Sequence, residues 1–503
     1  MALDTTSRGT DLVAEAMLVG GAWDGGDDVI PIHDPADTDR VVGTVPRGTA
    51  ADVDRAVQAA GEAFATWSRR SIEERGAALQ RAAEAVLANR EAREELLVRE
   101  SGKILAEARG ETTAASRILS YYAGLAGTFQ LEEALPSPAG TVLVTRDPMG
   151  VAAVIGPWNA PLLLTMLAVA PALLAGNTVV VKPSTDAPLA LIDFLRVLDV
   201  HLPPGVLNVV TGPGGEVGTA LVTHPGVRRI MFTGSVATGR AIAAAAMGTL
   251  KRVSLELGGN DPALVLEDAD LDGDLVAELV NAVYATSGQV CYAVKRIYVQ
   301  EPIYDEFVDR FTAASARLRV GSGLDPRADI GPLINGRQLR FVEGLVDEAV
   351  ARGAGVAVVG EQLDPAGWER GHFHLPTVVT GADHTYGVVA EEQFGPVIPI
   401  MPFTTAEEGI ALANDTDFGL AASVWTGDEE RGFAVARALE AGTSFVNTHR
   451  PGASGVDMPF GGFKQSGLGR GHGTVALEEQ FELHTLSSRP PPGPRLIGEE
   501  RPG

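Results

Sequence analysis

Between residues 151 and 266, short apolar runs alternate with helical stretches, and this alternation constrains the fold more than any other feature of the sequence. The runs Val151 to Ile155, Val179-Val180-Val181, Val206 to Val210 and Ile230 to Phe232 are largely uninterrupted. Strands covered on both faces read this way. Helical segments at 189–198, 216–222 and 239–247 separate them, so the order strand, helix, strand, helix predicts an α/β fold built on a doubly wound, Rossmann-like parallel sheet. A second α/β region is expected over 257–447. Upstream, residues 51–89 have helical periodicity, with Val53, Val57, Ala60, Ala63, Phe64 and Trp67 at three- and four-residue steps, and 91–111 continue in the same style. Asp34-Pro35 reads as a turn, 140–145 as a short strand, and no internal repeat is evident.

Residues 160–176 are the most membrane-like segment. They number 17 and are broken by Pro161 and Pro171, short of the roughly 20 needed to span a bilayer. A buried helix leading through Asn177 into a strand is expected instead, so no membrane association is predicted. With 65 Asp and Glu against 40 Lys and Arg, the formal charge is −25, which excludes nucleic-acid binding through a general basic face. Residues 1–17 lack the basic and apolar regions of a secretory signal. A single cysteine, Cys291, permits no internal disulfide, and a cytoplasmic location is expected. The proline-rich end, 490–503, is expected to be a flexible tail.

A lone cysteine is commonly a small core hydrophobe. Cys291 follows Ser287-Gly288-Gln289-Val290, small or polar residues that suit a loop or a helix start. Near a helix N-terminus its thiol would be lowered, and a thiolate attacks carbonyl carbon readily. Glu256, between Leu255 and Leu257 and before Gly258-Gly259, reads either as a desolvated general base at an apolar strand end or as an exposed edge residue. Asn159, in Pro157-Trp158-Asn159-Ala160-Pro161, follows the strand ending at Ile155, where its amide could donate to an oxyanion. Lys182, with Thr185 three residues on, ends another strand and would face the ligand crevice of an open sheet. Phe232-Thr233-Gly234-Ser235 and the following Thr238 form a strand end, turn and helix start that can present N–H groups to a phosphate. Ordinary turn chemistry accounts for each of these singly. The glycine-rich stretch 212–218 misses the dinucleotide fingerprint spacing by one residue.

Together these segments closely resemble the aldehyde dehydrogenase superfamily over about 18–486. The specific pieces are PWNAP at 157–161, GNTVVVKPS at 176–184, FTGSVATG at 232–239, ELGG at 256–259, GQVC at 288–291, EEQFGPV at 391–397 and PFGGFKQSG at 459–467. The resemblance implies a hydrolytic, NAD- or NADP-dependent enzyme acting on a small-molecule aldehyde, with no metal. Cys291 would attack the aldehyde, Asn159 with the Cys291 N–H would hold the oxyanion, and Glu256 would activate the water that hydrolyses the thioester. Glu392 would bind the nicotinamide ribose and Phe394 would pack on the nicotinamide. Lys182 would reach the adenosine ribose, Gly234 and Ser235 the pyrophosphate, and Gly214 and Gly218 the adenosine half. Ile155, Pro157, Trp158, Ser184, Thr185, Phe232, Thr233, Thr238 and Leu257 would complete the cofactor groove.

Several positions depart from the family pattern. Thr185 stands where many NAD-preferring members carry a glutamate, so NADP should be tolerated and both cofactors should work. Thr286, Asn260 and Gly471 replace the usual asparagine, lysine and glutamate without removing a catalytic group. In the substrate tunnel, Ala160, Leu167 and Ala285 replace frequent aromatics beside Leu163, Val290, Tyr292 and Phe460. The added volume predicts a bulky or aromatic aldehyde. Arg450, beside His449, supports the competing expectation of a carboxylate- or phosphate-bearing semialdehyde. Acyl transfer to coenzyme A is disfavoured because members of that kind commonly lack the general-base glutamate. A non-enzymatic binding protein would have no reason to keep Cys291, Glu256 and Asn159 together. The resemblance further implies a cofactor domain at 1–128 and 147–256 and a catalytic domain at 257–449. A bridging sheet at 129–146 and 476–489 would build a homodimer or homotetramer.

Overall fold

A computed structural model of the chain describes residues 12–137, 140–449 and 455–488. Five parallel strands centre an eight-stranded sheet, in the spatial order Arg252–Glu256, Val227–Thr233, Val151–Ile155, Thr178–Lys182, Leu207–Val209. Antiparallel strands flank them, Gly467–Leu468 on one side and Met17–Val19 with Ala22–Asp24 on the other. The strand earliest in sequence of the five lies in the middle, so connections run outward in both directions from it. The order reverses between Val151–Ile155 and Val227–Thr233, and the crevice beyond their carboxyl ends is where sheets of this kind take ligands.

A second sheet has seven strands, in the order Gly355–Val358, Thr377–Thr380, Val397–Phe403, Val294–Gln300, Asp261–Val265, Ala421–Trp425, Thr443–Val446. All neighbouring pairs are parallel except the first. A three-stranded antiparallel sheet pairs Phe481–Ser487 with Val142–Pro148 over seven residues, and Val142–Pro148 in turn with Glu132–Leu135.

The apolar segment at 160–176 is the buried helix Pro161–Ala175, which begins on Pro161 and ends on Gly176 at φ +100°. Asn177 then accepts from the Gly150 N–H and donates to the Gln480 carbonyl, tying the helix end to the starts of the strands Val151–Ile155 and Phe481–Ser487. Among the described residues no helix is long and apolar enough to cross a membrane.

Three segments differ from the periodicity reading. Residues 51–89 form two helices, Ala50–Trp67 and Ile72–Ala85, because Ser71 and Glu74 make a reciprocal capping box that starts the second. Residues 91–111 divide into Glu91–Ser101 and Leu105–Leu125 at Gly102, whose φ of +80° closes the first. The stretch 216–222 straddles a wide π-type turn, Gly214–Gly218, and the short helix Thr219–Thr223.

Candidate active site

Cys291 lies in a turn between the 3₁₀ segment Ala285–Gly288 and the strand Val294–Gln300. Thr286, Ser287 and Gly288 all have positive φ, at 53°, 56° and 74°. Such a loop persists only when its surroundings hold it. Here the Thr286 N–H donates to Glu107 at 2.6 Å and the Ser287 hydroxyl to the Gly331 carbonyl at 2.7 Å. Gln289 accepts from the Ile334 N–H at 2.9 Å. Gly288 fits because a Cβ there would stand 2.3 Å from the Gly395 carbonyl oxygen. No helix begins at Cys291, so the lowered thiol expected from a helix N-terminus does not occur. Burial instead pushes the Cys291 thiol up to about 12, with Lys295 acting to lower it and Glu392, Asp261 and Glu256 to raise it.

Asn159 sits in the turn that enters the helix Pro161–Ala175 and is 8% exposed. Its side-chain amide donates to the Gln289 carbonyl at 3.0 Å, two residues before the thiol, and its own carbonyl accepts from Lys103 at 2.9 Å. An amide nitrogen carries a second hydrogen, which leaves one donor for a ligand. Glu256 ends the strand Arg252–Glu256, covered on both sides by neighbouring strands rather than lying at an edge. Burial pushes its carboxyl up to about 8, against the opposing pull of Arg470, and its Oε2 is buried without a partner.

Cys291 and Glu256 share the wall of one cavity of about 280 Å³. Leu163, Leu167, Ile118, Met231, Val456 and the rings of Tyr292, Phe460 and His472 make most of that wall apolar. Phe460 meets Tyr292 edge-on at 5.6 Å and stacks on His472 at 5.1 Å. Arg117, from the helix Leu105–Leu125, and Arg470 add positive charge to the lining.

The crevice at the switch point carries the second constellation. Lys182, buried, donates to the Pro183 carbonyl, and burial brings its ammonium down to about 8. Gly218 stands beside it, where a Cβ would lie 3.9 Å from the lysine stem. Ser235 caps the helix Val236–Ala246, accepting from the Thr238 N–H. Glu392 accepts from the Gly259 N–H at 3.1 Å and lies 3.6 Å from Lys295. Phe394, at φ 48°, meets Trp158 edge-on at 5.4 Å. Among the described residues no cluster of three His, Cys, Asp or Glu could hold a metal ion.

A model of the aldehyde dehydrogenase family matches residues 23–486. The chain belongs to the aldehyde dehydrogenase family. It is 37% identical over 486 residues to a glutarate-semialdehyde dehydrogenase of Pseudomonas putida, covering 95% of this chain and 98% of that one. It is 40% identical over 481 residues to a mitochondrial succinate-semialdehyde dehydrogenase of Arabidopsis thaliana, covering 95% and 89%. The crystal structure of a betaine aldehyde dehydrogenase from Staphylococcus aureus in complex with NAD+ superposes with a TM-score of 0.90 at 34% identity, covering 94% of each chain. The doubly wound sheet expected from the sequence is thus the family fold.

The structure places the proposed site residues as follows. Ile155, Phe232, Thr233, Leu163, Leu167, Tyr292 and Phe460 join Cys291 and Glu256 on the cavity. Pro157 and Trp158 follow Ile155 into the crevice, Ser184 and Thr185 lie half-buried after Lys182, Gly214 opens the wide turn that ends at Gly218, and Leu257 packs on Gly239. Ala160, Ala285 and Val290 do not line the cavity: the two alanines cap helix ends, and Val290 belongs to the loop tied to Lys295. Arg450 and the 490–503 tail lie outside the described residues. His449 is buried against the Tyr292 carbonyl, and burial brings its ring down to about 4. Sequence reasoning missed Arg117, Ile118, His472 and Lys295. The three- and four-residue spacing of Ala114, Arg117 and Ile118 was the signal for the first two, since it puts them on one helix face.

Proposed function

We propose that the chain oxidises an aldehyde to a carboxylic acid with NAD or NADP as hydride acceptor, through a covalent intermediate on Cys291. The single observation that carries this reading is that Cys291 and Glu256 face one cavity beside the switch-point crevice. A dinucleotide suits the crevice, because Lys182 can meet ribose hydroxyls and the helix that begins after Ser235 offers N–H groups to a phosphate. When bound, the nicotinamide accepts the hydride that leaves the aldehyde carbon.

The chain's own residues supply the rest. The Cys291 sulfur bonds to the aldehyde carbon while its proton passes to solvent, directly or through Glu256, which is left as the carboxylate, and the second hydrogen of the Asn159 amide donates to the developing oxyanion. After oxidation to the thioester, Glu256 takes a proton from the attacking water. The carbon–sulfur bond breaks, the thiolate departs and the acid leaves. The sum is aldehyde plus water plus NAD(P)+, giving acid, NAD(P)H and a proton. Cys291→Ala should abolish turnover while cofactor binding, followed by fluorescence, persists; turnover surviving in this variant would overturn the reading.

The substrate is read as a bulky or aromatic aldehyde. A cavity of roughly 150 Å³ holds benzene, so 280 Å³ with apolar and aromatic walls accommodates a ring and a substituent. A second reading, a semialdehyde, is favoured by Arg117 on the cavity wall and by the names of two relatives. A panel run with benzaldehyde, acetaldehyde and succinate and glutarate semialdehydes separates the two. A preference for a semialdehyde that disappears in Arg117→Ala or Arg450→Ala would defeat the aromatic reading.

The cofactor and catalytic domains are taken to centre on the two large sheets, with the three-stranded sheet bridging copies of the chain. Its edge strand Phe481–Ser487 leaves Leu483 69% and Leu486 43% exposed, which suits addition of a second copy. Light scattering that finds a monomer would refute this assembly.

A further inference from the structure

Lys295 is absent from every role assigned above, yet it is a lysine at 2% exposure on the strand that follows the Cys291 turn. A buried ammonium needs partners for all its donors. Lys295 donates to the Cys291 carbonyl at 2.7 Å and the Val290 carbonyl at 2.8 Å, with Glu392 at 3.6 Å and the Phe394 ring centroid at 5.9 Å. It thus grips the backbone of the proposed nucleophile itself and touches the two residues proposed for the nicotinamide end of the cofactor. We propose that Lys295 is a positioning residue for the thiol chemistry, fixing the Cys291 backbone and placing a buried positive charge on the carbonyl of the residue whose thiolate must form.

The surrounding charges set the sign of its effect. Glu392, Asp261 on the strand Asp261–Val265, and Glu256 on the strand Arg252–Glu256 all disfavour ionisation of the thiol, and Lys295 favours it. His449, which also feels the charge of Lys295, has a ring held neutral by burial. Removing the lysine leaves burial, and each of these acids where it is ionised, to act on the thiol unopposed. A charge of this kind shifts a neighbour by about one to three pH units. Below the thiol's own range, that lowers the thiolate fraction by about tenfold or more.

This inference rests on Cys291 being the nucleophile, but its test reads the thiol directly. Cys291 is the only cysteine, so alkylation of the free enzyme by iodoacetamide at pH 7–10 reports one sulfur. Lys295→Met should alkylate about tenfold more slowly or worse, and Lys295→Arg should recover most of that loss. Glu392→Gln, which removes an opposing charge, should alkylate faster than wild type. The opposite signs separate charge from damage to the fold. Wild-type rates in Lys295→Met, failure of Lys295→Arg to recover, or a slower Glu392→Gln would each overturn the assignment. Turnover lost in Cys291→Ala speaks to the reaction, whereas these rates speak only to Lys295.

Discussion

The proposed base offers the sharpest kinetic prediction, because burial holds the Glu256 carboxyl at about 8. A general base works only as the carboxylate, so its step must follow that ionisation. At pH 6 about 1% of Glu256 is ionised and at pH 8 about half, a rise of about fiftyfold. Hydrolysis of the thioester should therefore climb about fiftyfold from pH 6 to 8 and level off above about pH 9. Rapid-quench single-turnover experiments on a preformed acyl-enzyme isolate this step from formation of the thioester, which depends on the thiol. Glu256→Gln should slow hydrolysis and flatten the profile. A flat profile in the wild-type enzyme, or an unchanged climb in Glu256→Gln, would refute the assignment of the base.

Two further outcomes follow from particular residues. Thr185 offers a hydroxyl where a carboxylate would repel a 2′-phosphate, so Thr185→Glu should shift the NAD/NADP ratio of kcat/KM toward NAD by about tenfold; an unchanged ratio counts against Thr185 meeting the adenosine ribose. Gly288→Ala would force a Cβ to within 2.3 Å of the Gly395 oxygen and impose a left-handed backbone that costs about 1–2 kcal/mol. A displaced nucleophile of this kind should cost about a hundredfold in kcat/KM with a lowered melting temperature, and wild-type kinetics would deny that this contact holds the loop.

Local pattern carried much of the fold. The apolar runs at 151–155, 179–181 and 230–232 emerge as neighbouring parallel strands, and the 160–176 segment as the helix that enters from the Asn159 turn. The break at Ser71 was also legible, since Ser71 and Glu74 spell a capping box inside a run whose periodicity continues across it. The state of Cys291 was not. Its loop is shaped by partners about 180 residues before it in sequence, at Glu107, and 40 to 104 residues after, at Gly331, Ile334 and Gly395. Small polar residues before a cysteine suit a helix start and a strained turn equally, and only tertiary contacts choose. Lys295 was hidden for the same reason: a lysine four residues after the cysteine looks like a solvated side chain until the fold buries it.

The central claim is that oxidation proceeds through a thioester on Cys291 that Glu256 is needed to release. Glu256→Gln, mixed with aldehyde and NAD or NADP, tests it most directly. A burst of about one NAD(P)H per subunit followed by slow turnover is predicted, with the Cys291 peptide heavier in mass spectrometry by the acyl group. No burst, or a burst that leaves Cys291 unmodified, would contradict the account.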